Sequence, residues 1–226
     1  TGEKKMNFHS TTSEVDYLTR VARVTPAIRD AADEIEREQL LPIGLRNKLH
    51  DEKLFRLLLP KPYGGEELEP ALFFKTISAI AEIDSSTAWC VCQANGVAMT
   101  AAFVEPEVAQ NIWGRDPHAV MAWGPGKADF VEKEDGFVLS GRWQFASGSR
   151  HATWLGGRTP MTLPDGKTAF RVFLFPAKEA EMIEIWDVLG LRGTGSGGYS
   201  VKDLFVSKDY TATPGLDVEE RIYDAP

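Results

Sequence analysis

The spacing of apolar residues changes once along this chain, near Asp116-Pro117, and that change limits the fold more than any other feature. Before it, apolar residues recur at steps of three and four. After it, they fall in short runs separated by turn signals. Helix side chains share a face about every 3.6 residues and strand side chains every second residue. The chain therefore reads as a multidomain α+β protein. An N-terminal all-α bundle is expected over 1–117 and an antiparallel β-barrel or sandwich over 118–226.

Ser13 is placed to cap a helix running to about Glu38, with Val15, Leu18, Val21, Ala22, Ile28, Ala32 and Ile35 as its stripe. Pro42 opens a second helix through Leu54. A third is expected from Pro70 to Ile83, with Leu72, Phe73, Ile77 and Ile80 inward. Asp84-Ser85-Ser86 caps a fourth, and Ser85 to Val104 carries no formal charge. Gln93, Asn95, Gly96 and Thr100 interrupt that stretch and no basic anchors flank it, so it reads as a central buried helix rather than a membrane span. A fifth helix opens at Glu105-Pro106-Glu107 and ends near Trp113-Gly114. Strands are expected at Ala119–Trp123, Lys127–Glu132, Phe137–Leu139, Trp143–Ala146, Thr153–Arg158, Ala169–Phe175, Met182–Trp186 and Tyr199–Val206. The turns between them include Glu134-Asp135-Gly136, Pro164-Asp165-Gly166 and Gly193-Thr194-Gly195.

Several function classes are disfavoured. The net charge of -8, with no Lys/Arg cluster, argues against a nucleic-acid surface. Cys90 and Cys92 stand two apart on an apolar helix, which fits neither a disulfide nor a metal pair, and a reducing cytoplasm is the simplest setting. The N-terminal TGEKKMNFHS lacks the apolar core of a signal peptide, and Met6 is a possible start. His9, His50, His118 and His151 are scattered without metal-type spacing. Gly193, Gly195 and Gly198 spell GxGxxG, but a strand-like run, YSVKDLFV, follows where a dinucleotide fingerprint needs a helix.

Leu139 to Trp154, LSGRWQFASGSRHATW, is the stretch with the most chemistry. It alternates through Val138, Ser140, Arg142 and Phe145, then reaches the small polar turn Ser147-Gly148-Ser149, followed by His151 and Trp154. Rings beside hydroxyls at a strand end suit a planar ligand, the rings packing its faces and the hydroxyls bonding its edge. An ordinary apolar strand with a Ser/Gly turn reads the same way.

An α-bundle followed by a β-domain with GLRGTGSGGYSVKDLFVSKDY resembles the acyl-CoA dehydrogenase superfamily. The Asp84-Ser85-Ser86-Thr87-Ala88-Trp89 helix start and the SGRWQFASGSRHATW block are more similar to one branch of it, the flavin-dependent two-component monooxygenases that hydroxylate phenols and related rings. The resemblance spans about residues 15 to 212. It implies a bound flavin, FMN or FAD, a small-molecule substrate, a separate flavin reductase as partner and a homotetramer. In the dehydrogenases the corresponding strand reads WITNG. Phe145 falls on its Trp and Ser147 on its Thr, which puts Ser147 near flavin N5 or O4 and Gly148 and Ser149 beside it. An earlier strand ending in Thr-Glu-Pro-Gly also lines the flavin there. Ala122-Trp123-Gly124-Pro125-Gly126 matches it without the Thr and Glu, leaving backbone groups as the contacts. Trp143, Trp123 and Phe145 would be the dry walls. The fourth-helix segment Asn95-Gly96-Val97-Ala98-Met99 lacks the histidine that hydroxylases of this branch often present to substrate, and His151 is the candidate substitute. Ser147 and His151 are thus the catalytic candidates, and no metal is implied. The family adds a C-terminal helical bundle after the β-domain, whereas this sequence stops at Pro226. A fragment without catalysis and an acyl-CoA dehydrogenase are the alternative readings.

Overall fold

A computed structural model describes residues 11–162, 166–213 and 223, with side chains from residue 16 onward. The helical part consists of α1 (Thr11–Asp30), α2 (Ala32–Glu38), α3 (Ile43–Asp51), α4 (Pro70–Ala81), α5 (Ser85–Ala98) and α6 (Pro106–Ala109), the last running into a π-helical turn, Gln110–Gly114. The helix expected to reach Glu38 unbroken is interrupted at Ala31, where ψ rises to -7°. The Ser13 cap and part of the Pro164-Asp165-Gly166 turn lie outside what is described.

Among the described residues eight strands follow: β1 (Met121–Trp123), β2 (Gly126–Lys133), β3 (Gly136–Trp143), β4 (Trp154–Thr162), β5 (Thr168–Pro176), β6 (Glu181–Ile183), β7 (Gly198–Ser207) and β8 (Thr211–Ala212). They form two four-stranded sheets, ordered β1-β4-β5-β8 and β2-β3-β7-β6. All pairings are antiparallel except β1 with β4, which is parallel. The segment between them, Gly124 to Thr153, leaves one sheet, builds a hairpin in the other and returns, so a parallel partner costs no tight turn.

The β1-β4-β5-β8 sheet is covered on both faces. On one, Met121, Val172 and Leu174 pack with Val97, Ala98, Val108, Ile112 and Trp113 of the helical part. On the other, Ala122, Leu155, Phe173 and Phe175 meet Phe137, Leu139, Trp143, Tyr199 and Val201 of the second sheet. A strand buried on both faces reads as a continuous apolar run rather than an alternating one, as residues 172–175 of β5 do. The polar tips of the core rings bond to β4: Trp143 Nε1 donates to the Arg158 carbonyl at 2.8 Å and Tyr199 Oη to that of Gly156 at 2.6 Å. Trp143 is thereby a core residue, fully buried, and not a wall of an open site.

Helix α5 runs through the centre. Asp84 caps it, its carboxylate accepting from the Thr87 N–H at 2.6 Å. Asn95 is fully buried, yet its amide donates to the Leu54 and Val91 carbonyls and accepts from Leu58 N–H, so the polar interruption is satisfied. The face left open carries Trp89, Gly96 and Met99. Among the described residues, no helix is long and apolar enough to cross a membrane, and no group of His, Cys, Asp or Glu could hold a metal ion.

Candidate functional site

β3 stops at Trp143, three residues before the expected end at Ala146. The backbone then takes up hydrogen bonds from a distant loop instead of a neighbouring strand. Gln144 N–H donates to the Pro125 carbonyl, Ala146 N–H to Gly197 and Gly148 N–H to Thr194. Phe145 is forced to φ 54°, a left-handed value that costs a non-glycine residue about 1–3 kcal/mol. The result turns its ring outward, 62 % exposed, edge-on to Trp186 at 6.1 Å.

The loop that receives the Ala146 and Gly148 bonds is the GLRGTGS block with the Gly197 that follows it. A side chain at Gly193 would put its Cβ 2.0 Å from Ile35 Cγ2 and 3.0 Å from Ser86 Cβ. Gly195 has φ 50° and would strike the Gln39 carbonyl at 2.6 Å. These glycines therefore seat the loop on α2 and the start of α5, and β7 follows at Gly198. Close approach, not phosphate binding, accounts for the glycine spacing.

Seating the loop there brings three hydroxyls into a line. Ser147 Oγ lies 2.7 Å from Ser196 Oγ, Ser196 Oγ lies 2.6 Å from Thr194 Oγ1, and Thr194 Oγ1 donates to the Leu191 carbonyl at 2.8 Å. At the outer end, Trp89 Nε1 of α5 donates to Ser147 Oγ at 2.9 Å. Ser196 and Thr194 are buried, Ser147 is half-buried and Trp89 is 43 % exposed, so the chain of hydroxyls opens at Ser147. Sequence reasoning missed Trp89, Thr194 and Ser196. The open face of α5 and the small polar residues of GLRGTGS were the available signals.

The other candidates are placed as follows. Ala122 is buried and faces the sandwich core, so only its backbone is available, and that backbone pairs in register with Leu155. Trp123 lines a cleft of about 250 Å³ with Gly96, Met99, Phe103, Arg158 and Phe170. Gly124 abuts the Gln144 carbonyl, which sets the Trp123–Gly124 end beside the Phe145–Ser147 turn. Gly148 has φ 76°. Ser149 is buried, with an Oγ that has no protein partner.

His151 sits behind this turn rather than over it. Its Nε2 accepts from Leu41 N–H at 3.5 Å and its backbone N–H donates to the Gly148 carbonyl at 3.1 Å. Burial, with Arg46, Arg150 and His50 nearby, pushes its pKa down to about 3. His50, stacked on His118 at 4.5 Å, is pushed down to about 4 by burial and by His118. Both rings are neutral in the fold at neutral pH. The unfolded chain binds protons on them near pH 6.5 while the folded chain does not, so stability is present above about pH 6.5 and is lost as the pH falls toward 4. Thermal unfolding between pH 7.5 and 4.5 should follow that slope, and His151→Gln, which keeps an acceptor for Leu41, should flatten it.

No protein-family model matches the chain. The oxygenase subunit HsaA of a flavin-dependent monooxygenase from Mycobacterium tuberculosis is 34% identical over 194 residues, 84% of this chain and 49% of that protein. A crystal structure of the M. tuberculosis HsaA monooxygenase superposes with a TM-score of 0.83 at 30% identity, covering 92% of this chain and 55% of that one. XiaF from Streptomyces sp., solved in complex with FADH2 and glycerol, superposes with a TM-score of 0.81 at 25% identity, covering 91% of this chain and 52% of XiaF. The chain spans about half the length of the curated relatives it matches. Over that half, the chain belongs to the family of flavin-dependent two-component monooxygenases, on an acyl-CoA dehydrogenase-like fold.

Proposed function

We propose that this chain forms the flavin-binding part of an oxygenase component that hydroxylates a small aromatic substrate with reduced flavin and dioxygen. One observation carries the reading: the Ser147 hydroxyl, the only open member of a buried hydroxyl chain, is bonded by the exposed Trp89 ring and stands two residues after the exposed Phe145. The family relationship makes flavin the planar ligand, and the FADH2 complex of XiaF favours FAD over FMN. When bound, reduced flavin supplies the two electrons that split dioxygen, one oxygen atom entering the substrate C–H bond and the other leaving as water.

In this reading Ser147 faces the flavin N5 edge. Trp123 and Phe145 exclude water from the ring, because water access diverts the oxygen to free hydrogen peroxide. The backbone at Ala122, Gly124 and Gly148 and the Ser149 hydroxyl complete the contacts. His151 serves as a neutral brace for the Gly148 turn rather than as a proton carrier. A separate NADH-dependent flavin reductase, assembly into a homo-oligomer and a cytoplasmic setting complete the proposal.

The test uses the full-length gene product with a flavin reductase, NADH and candidate phenols. Ser147→Ala keeps the volume nearly unchanged, so the fold should survive. A lost neutral hydrogen bond lowers reduced-flavin affinity by roughly two- to tenfold. The share of oxygen recovered as free hydrogen peroxide should rise more steeply than that. Unchanged affinity and unchanged peroxide yield would remove Ser147 from the flavin site.

A further inference from the structure

We infer that Trp89, Ser196 and Thr194 are positioning residues that fix the Ser147 hydroxyl as a hydrogen-bond acceptor toward the ligand, so that the site selects reduced over oxidised flavin. The inference rests on the flavin reading above and concerns the direction of the hydrogen bonds in the hydroxyl chain.

That direction follows from what each group can do. A carbonyl oxygen only accepts, so the 2.8 Å contact to Leu191 uses the single proton of Thr194. Thr194 then has none to give Ser196, and their 2.6 Å contact requires Ser196 to donate. Ser196 in turn has none for Ser147, so at 2.7 Å Ser147 donates to Ser196. At the other end the Trp89 indole is a donor only and takes one lone pair of Ser147. All four contacts are satisfied together in this orientation alone. Ser147 is left with no proton to offer outward and one lone pair open.

Reduced flavin carries a hydrogen on N5 and oxidised flavin a lone pair. The open lone pair of Ser147 accepts from the first and repels the second. Trp186 and the Thr194 amide also donate to the Leu191 carbonyl, at 3.0 and 3.2 Å, so the end of the chain is held even if Thr194 loses its hydroxyl.

The experiment measures dissociation constants for oxidised and, anaerobically, reduced FAD on the full-length protein, with the midpoint potential of bound FAD as a second readout. Thr194→Val preserves shape and removes the terminal donor. Ser196 can then donate to Ser147, and the Ser147 proton turns outward. The ratio of oxidised to reduced dissociation constants should fall by about two- to tenfold, the worth of one neutral hydrogen bond, with the bound potential falling accordingly. Ser196→Ala should lower the ratio in the same direction, and Thr194→Ser should restore it. Loss of loop structure alone would weaken both redox states together and leave the ratio unchanged, which overturns the inference while the flavin reading stands. Failure of the wild type to bind FAD in either state overturns the flavin reading, and the inference with it.

Discussion

Replacing Arg56 with Leu is expected to lower the unfolding free energy by about 3–5 kcal/mol, because several buried carbonyls lose a donor at about 1–3 kcal/mol each. Arg56 is only 6 % exposed, and the Asp116 carboxylate nearby raises its pKa against the effect of burial. Its guanidinium donates to backbone carbonyls: Nε to Pro117 at 2.9 Å, Nη1 to Tyr63 at 2.9 Å, and Nη2 to Trp113 at 2.9 Å and Asp116 at 2.5 Å. Three of those carbonyls belong to the end of the helical part and the connector into β1. Burial lowers the pKa of the group, but a guanidinium starts so high that it stays charged. Leucine fills the space but removes the guanidinium from all four carbonyls, of which that of Asp116 keeps the Ala119 N–H at 3.1 Å. Arg56→Lys keeps the charge but not the fork, and should lose an intermediate amount. Urea unfolding of the three proteins tests this, and a loss under about 1 kcal/mol for Arg56→Leu would mean that water replaces the guanidinium.

The position of Arg56 also marks where the sequence stopped being informative. The change of period at Asp116, the Asp84 cap and most of the strand runs are local signals, set by residues within a few positions of each other, and they survive in the fold, whereas the runs expected at 143–146 and 182–186 stop at Trp143 and Ile183. Arg56 and its Pro117 partner are 61 positions apart, and Trp89 and Ser147 are 58 apart. No spacing rule relates such pairs. Phe145 makes the same point within one motif. Its place in an alternating run predicted a strand, but the Ala146 and Gly148 N–H groups bond to Gly197 and Thr194, some fifty positions on. The backbone turns left-handed to meet them. The family resemblance singled out Ser147 because it carries such long-range information implicitly. What it did not carry was the use of Trp89 and Ser196, which appears only when α5 and the glycine loop are packed together.

The second large effect is expected at Ala94, on the face of α5 opposite the open one. Ala94 is 7 % exposed, in the core that also holds Leu54, Leu72, Ile80 and Val91. Ala94→Glu there should cost about 3–5 kcal/mol at pH 8, combining overpacking with an unpaired buried charge. The two causes separate by pH. A carboxyl in an apolar site has its pKa raised, so the folded state holds a proton that the unfolded chain gives up above about pH 4.3. The charge penalty therefore grows as the pH rises from there and levels off above the folded pKa. Ala94→Gln has nearly the same volume and no charge, so its penalty is steric and does not vary in this way. Subtracting one variant from the other also cancels the histidine background. The Glu and Gln variants should converge near pH 4 and diverge by pH 8. Trp89 lies five residues upstream on the same helix and donates to Ser147, so the variant that shifts α5 more should also lose more flavin affinity. Equal stability of the two variants at every pH would mean that position 94 reaches water, and that α5 is less central than its uncharged sequence suggests.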